Sequence, residues 1–201
     1  MSAYMIGYVG MTHLGLNSAV AAADKGYETV CFDPDPVLIA KLSQHELPIV
    51  EPDLPKLLEK NSGRIKFTTD PSQLSLCDVV YIAPDVPTND NGKSDLGRID
   101  ELISQVEPVL SPNTVIVILS QVPPGFTRAR LCPGRRLYYQ VETLIFGRAM
   151  ERARFPERFI VGCAEPSELL PQAFANFLGS FGCPILPMRY ESAELAKISI
   201  N

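Results

Sequence analysis

The chain has 201 residues, 46% of them hydrophobic and 20% charged, with a formal net charge of −5. Such a composition buries a core and excludes a disordered chain. The acidic balance argues against a general nucleic-acid binder, and no run approaches the ~18 apolar residues of a membrane span.

Residues 4–9 form an apolar run that leads into the turn Gly10-Met11-Thr12-His13-Leu14-Gly15. An alanine-rich helix is expected over residues 14–25. A second apolar run, Thr29-Val30-Cys31-Phe32, then ends on Asp33. Strand, glycine turn, helix, strand and acid follow the order of a dinucleotide-binding βαβ unit. Gly10 suits the tight turn, and Gly15 lets the helix pack closely on the strand. The helix N-terminus, at Thr12, His13 and Leu14, offers free N–H groups and partial positive charge to a pyrophosphate. Asp33 lies 23 residues after Gly10, where an acid accepts the ribose hydroxyls and repels a 2′-phosphate, so NAD is favoured over NADP. The middle glycine of the pattern is missing, with Thr12 in its place. A βαβ unit without a ligand is the alternative at this point.

Asp35 and Asp53 are candidate caps for helices over residues 36–43 and from residue 54. A strand is expected over residues 64–68, and Asp70 caps a short helix from Pro71. The run 79–83 is wholly apolar, as in a central parallel strand, 114–119 reads as another buried strand, and residues 96–110 have helical spacing. The loop between contains Asp90-Asn91-Gly92, but Pro87 and Arg98 fall at the first and twelfth positions of a calcium loop and cannot ligate. Strands are expected at 137–141, 159–161 and 185–186, and helices over 167–181 and from Tyr190. That last helix runs into the chain end without a stop signal, as in a chain cut within a helix. The alternation gives an α/β fold: a doubly wound, Rossmann-like parallel sheet in three layers. Residues 1–188 are expected to form the cofactor domain and residues 189–201 the start of a long connecting helix. Arg128, Arg130, Arg135 and Arg136 read as a solvated loop, with a phosphate or acidic-partner contact as the alternative. The five cysteines (Cys31, Cys77, Cys132, Cys163 and Cys183) include no C-x-x-C pair. They suggest neither a zinc site nor a disulfide framework, and they fit a reducing cytoplasm. No basic stretch precedes the first apolar run, so no secretory leader is expected.

Seven segments in order resemble the N-terminal, NAD-binding part of the UDP-glucose/GDP-mannose (nucleotide-sugar) dehydrogenases. They are the glycine turn; Pro48-Ile49-Val50-Glu51-Pro52; residues 63–70; Pro87 with Asp90-Asn91-Gly92 and Asp95-Leu96; Val122-Pro123-Pro124-Gly125; residues 156–162; and Glu194-Leu195-Ala196-Lys197. The resemblance covers nearly the whole chain. It implies oxidation of a sugar C6 alcohol to a carboxylate with two NAD, through a thioester on a cysteine, with a UDP-sugar as substrate, most simply UDP-glucose. It further implies a homodimer of the full-length protein, while the charge and the lack of a long apolar run lead to the expectation of neither a nucleic-acid nor a membrane partner. By that resemblance Glu142 does acid/base work through water. Lys197 stabilises negative charge on the substrate oxygen, and Asn201 shares its helix face. Gln121 stands for a threonine that holds a catalytic water, and Val86 for a threonine on the cofactor face. Leu38 stands where a basic residue is common, and Ile145-Phe146 replace an Arg-Glu pair. The nucleophilic cysteine of the family belongs to a later domain, so these residues alone are expected not to complete the reaction. A regulatory homologue that has lost the chemistry is the alternative. A hydroxy-acid dehydrogenase is disfavoured by the segments 48–52 and 156–162.

Overall fold

A computed structural model describes residues 4–87 and 94–200. Asp90-Asn91-Gly92 and Asn201 lie outside the described residues. The elements in chain order begin with β1 (Met5–Val9), α1 (His13–Asp24), β2 (Glu28–Phe32), α2 (Pro36–Ser43), α3 (Leu54–Lys60) and β3 (Ile65–Thr68). They continue with β4 (Val79–Ile82), α4 (Gly97–Val106), β5 (Val115–Ile118), β6 (Arg136–Val141) and α5 (Ala149–Arg154). The chain closes with β7 (Phe159–Cys163), α6 (Gln172–Gly179), β8 (Ile185–Arg189) and α7 (Tyr190–Ile200). One sheet holds eight strands in the order β3-β2-β1-β4-β5-β6-β7-β8.

Strand residues alternate between two cores, because successive side chains point to opposite faces. Tyr8, Cys31, Tyr81 and Val117 join the core under α1, α5 and α6. Val9, Phe32, Ile82 and Ile118 join the core under α4 and α7. Three layers result, as the α/β pattern of the sequence implies.

The strands from β3 to β6 are parallel. β7 runs antiparallel to β6, and β8 is parallel to β7, which corrects the all-parallel expectation. The cause lies in the connection. α5 has six residues and rises about 9 Å, too little to carry the chain back along the sheet. The chain therefore stays at the end where β6 stops and enters β7 in the opposite direction. α7 then starts at the far end and climbs the sheet, with its first residue tied down by the Tyr190 hydroxyl donating to the Leu137 carbonyl at 2.5 Å.

Other boundaries also shift. Pro171 stands just before α6, which covers Gln172–Gly179 in place of 167–181, and α5 has no counterpart in the sequence reading. Asp53 precedes α3 with a left-handed backbone (φ 64°) and makes no capping bond through its side chain. Asp35 and Asp70 do cap their helices, accepting the N–H groups of Val37 and Leu38 and of Ser72. Between β5 and β6 the chain forms only a short 3₁₀ turn, Arg128–Arg130. Its arginines are not simply solvated. Arg128 pairs with Glu191 of α7, Arg130 with Asp100 of α4, and Arg135 with Glu107. Such pairs are worth about 0.2–1 kcal/mol each, and they clamp this segment to its neighbouring helices. No described helix is long and apolar enough to cross a membrane.

Candidate functional site

The strand order reverses between β1 and β4, and such a switch point opens a crevice beyond the carboxyl ends of the strands. The registers Val9↔Phe32, Val9↔Ile82 and Ile82↔Ile118 align the crest there. Asp33, Gly10, Ala83 and Leu119 follow one residue later in a row. Continuing the register past Ile118↔Tyr139 sets Gln121 level with Glu142. At ~4.8 Å per strand, Asp33 and Glu142 stand about 19 Å apart across the crest.

Gly10 has φ of +91°, and a Cβ there would come within 2.9 Å of the Pro84 backbone nitrogen. A Cβ on Gly15 would run into the Gly10 carbonyl oxygen. Both glycines are therefore demanded by close approach of backbone, as the motif predicts. Thr12 occupies the missing-glycine position with ordinary extended backbone (φ −84°). Its hydroxyl accepts the Asp85 N–H at 2.8 Å and donates to the Ala83 carbonyl at 3.4 Å. The threonine thus ties the glycine turn to the loop after β4. On that loop Val86 is half-buried against the core under α4. Ser120 ties in the next strand end, its hydroxyl donating to the Pro84 carbonyl at 2.5 Å. The first turn of α1 presents N–H groups without intrahelical acceptors at this crest. Glycines that admit backbone contact, a helix N-terminus and an acid at the end of β2 fit a dinucleotide.

Asp33 is 3% exposed, and its carboxylate is already engaged. Oδ2 accepts the Met11 N–H at 2.9 Å, and Oδ1 accepts the Asp35 N–H and the Arg98 guanidinium, both at 3.1 Å. Arg98, in the first turn of α4, entered the sequence reading only as a position that cannot ligate calcium, with no part in this site.

His13 is 9% exposed. Its Nε2 lies 3.3 Å from Glu51 Oε2, and its ring stacks on Phe146 at 4.2 Å. Glu51 is 3% exposed and also accepts the Gly147 and Ala149 N–H groups. One buried carboxylate thus fastens the start of α5 to the start of α1. Leu14, the next residue of α1, is buried in the core.

Glu142 immediately follows β6, and Lys197 reaches it from α7, its ammonium donating to the Glu142 carbonyl oxygen. Both residues are buried. Burial pushes the Glu142 carboxyl above its ordinary range, against the lowering effects of Lys197 and the Thr143 N–H. Burial pushes the Lys197 ammonium down, against the raising effects of Glu142 and Asp85. One turn back on α7, Glu194 is fully buried and accepts the N–H groups of Gly125 at 2.6 Å and Thr127 at 2.8 Å. This anchor sets the axial position of α7 and therefore that of Lys197. A cavity of about 20 Å³ adjoins Glu142 beside Tyr8, Ser18 and Gln140. It has room for one water molecule, so a larger reactant must approach from the crest. Glu142, Lys197, Gln121 and the glycine turn thus share one edge of the sheet, although they span the chain. Among the described residues, no group of three or more metal-ligating side chains converges.

A family model described as the UDP-glucose/GDP-mannose dehydrogenase family, NAD binding domain, matches residues 4–176. The chain belongs to this family. NAD is the cofactor that the matched domain indicates. UDP-glucose 6-dehydrogenase of Rickettsia typhi is 30% identical, with 98% of this chain and 48% of that protein covered. The enzyme of the same name from Pseudomonas aeruginosa is 31% identical, with 96% and 46% covered. The chain therefore spans about half the length of these relatives. A GDP-mannose dehydrogenase from Pseudomonas aeruginosa, solved as a ternary complex, superposes with a TM-score of 0.84 at 25% identity, covering 96% of this chain and 48% of that one. A UDP-glucose dehydrogenase from Pyrobaculum islandicum has the same fold, with a TM-score of 0.84 at 24% identity over 98% of this chain and 49% of that one.

Proposed function

We propose that the chain is the NAD-binding half of a nucleotide-sugar dehydrogenase that oxidises the C6 alcohol of UDP-glucose to the carboxylate of UDP-glucuronate in two hydride transfers. The observation that carries this reading is the buried Glu142–Lys197 contact at the crest. Burying a carboxyl and an ammonium group together costs stability, and groups driven toward neutrality in a cleft mark functional sites. Bound NAD would receive the hydride. Glu142, its carboxyl pushed up by burial, would hold and move a proton through water. Lys197 would stabilise the substrate oxygen as negative charge develops. Gln121, one strand away, would position the water, and Asn201 would join Lys197 on one helix face. Gly10, Thr12, His13 and Leu14 would line the pyrophosphate, Asp33 the ribose, and Val86 the dinucleotide's flank. The stability cost of burying this pair speaks against a purely regulatory homologue.

These 201 residues alone are proposed to bind NAD and turn over no nucleotide sugar. Burial drives the Cys31 thiol well up and that of Cys77 to about 12, and Cys163 lies at the sheet end opposite the crest. None of these three suits a nucleophile. A cytoplasmic setting fits five unpaired cysteines. Pairing of two full-length copies through α7 is supported by the exposed side chains of Leu195 and Ile198. Calorimetry with NAD tests the reading: saturable binding is expected, and none at millimolar NAD overturns it. NADH formation from UDP-glucose by these residues alone would overturn the proposed inactivity.

A further inference from the structure

We infer that Arg98 makes the ribose end of this site tolerant of a 2′-phosphate, so that the chain takes NADP alongside NAD. The inference rests on the dinucleotide reading above and concerns the discrimination made at Asp33.

An acid at the end of β2 selects NAD in two ways: it accepts both ribose hydroxyls, and its charge repels a 2′-phosphate. Here both effects are blunted. A carboxylate has about four acceptor positions. Three are filled by the Met11 N–H, the Asp35 N–H and Arg98 Nη2. One position is left, enough for a single ribose hydroxyl. The charge is also countered, since the Arg98 guanidinium lies 3.1 Å from Oδ1 and the Asp33 side chain is 4% exposed.

The guanidinium has donors to spare. It has five N–H groups in a fork that matches phosphate oxygens. Nη2 serves Asp33 and Nη1 serves Glu101 at 3.1 Å, while the side chain remains 40% exposed. The segment after Asp33 (Pro34, Asp35, Pro36, Val37 and Leu38) supplies no cation. The Asp35 carboxylate is engaged by the Val37 and Leu38 N–H groups. Among the described residues Arg98 is the cation paired with Asp33. A 2′-phosphorylated ribose suits this arrangement: its 3′-hydroxyl takes the remaining acceptor position, and its phosphate takes the free donors of Arg98. An unphosphorylated ribose, offering two hydroxyls, needs Arg98 to yield one position and fall back on Glu101.

Titration calorimetry of the chain with NAD and with NADP, for wild type, Arg98→Ala and Arg98→Lys, tests this. Wild type is expected to bind both. Arg98→Ala is expected to weaken NADP roughly ten- to hundredfold, the worth of charge-assisted hydrogen bonds, with NAD unchanged or tighter. Arg98→Lys should recover part of the loss. Arg98 is partly exposed, and an unchanged melting curve verifies that its variants fold. NAD binding without NADP binding at millimolar concentration overturns the inference and leaves the dinucleotide reading standing. Equal weakening of both dinucleotides by Arg98→Ala also overturns it. Binding of neither overturns both readings.

Discussion

At the scale of single residues, Thr12 and Gly15 separate two kinds of constraint inside one turn. Gly15 is fixed by volume, since any Cβ meets the Gly10 carbonyl oxygen. Thr12 is fixed by its hydroxyl, which bridges to Asp85 and Ala83. Replacing the side chain therefore has different consequences at the two positions. Gly15→Ala is expected to cost about 3 kcal/mol, the upper range for overpacking, because backbone must move to relieve the contact. Thr12→Val keeps the branched shape and loses only the hydroxyl, for about 1 kcal/mol, the worth of an ordinary hydrogen bond. Urea denaturation of the two variants measures both values, and equal losses would show that the threonine is held by packing instead. The sequence exposed the volume constraint, since the motif's glycines name it. It concealed the hydroxyl bridge, because Thr12 and Asp85 are 73 residues apart. Thr12 had read only as a departure. In the fold it has taken on the joining of the glycine turn to the loop after β4.

At the scale of elements, strands were legible where both faces are buried. The runs around β4 and β5 are wholly apolar, and every residue of both strands is buried. Elements held from far away were not legible. α5 is six residues long, carries several charges and has no side-chain cap at Arg148, so periodicity had nothing to register. Its anchor is Glu51, nearly a hundred residues earlier, which accepts the N–H groups of Gly147 and Ala149. The sequence marked Glu51 as part of a segment that resembles the family but gave it no role. The antiparallel entry of β7 follows from the brevity of α5, so missing the helix meant missing the strand direction as well. Glu51→Ala should leave those donors without a partner in a buried place, for about 2–3 kcal/mol. Hydrogen exchange would show the loss locally. The α5 amides should lose protection first, while those of β4 and β5 keep theirs until global unfolding. Uniform loss across the sheet would mean that α5 is no separate unit.

Across the whole molecule, the pair that the resemblance put forward also sets a term in how stability depends on pH. Glu142 and Lys197 are 55 residues apart, and only the path of α7 up the sheet, fixed by Tyr190 and Glu194, joins them. Burial raises the Glu142 carboxyl in the folded state, whereas the unfolded chain titrates near ~4.3. Between these values the folded state binds more protons, so stability falls as pH rises through the window. The contribution is complete below about pH 4.3 and is lost above the folded pKa. Lys197 works from the other side. Its lowered folded pKa means that the unfolded chain binds more protons below about pH 10.4, so its contribution is lost as pH falls through the folded value. Exposed carboxylates held low by partners, such as Glu151 beside Arg148 and Glu191 beside Arg128, tilt the profile the opposite way. The wild-type curve alone therefore hides the pair, and the difference from a variant isolates it. With Glu142→Gln, stability measured by urea denaturation from acid to neutral pH should decline less, or rise more, than in wild type across the window above about pH 4.3. With Lys197→Met, the Glu142 carboxyl loses its lowering partner, so its carbon-13 resonance should titrate at still higher pH. A Glu142 resonance unmoved by loss of the lysine would mean that the two groups do not feel each other's charge.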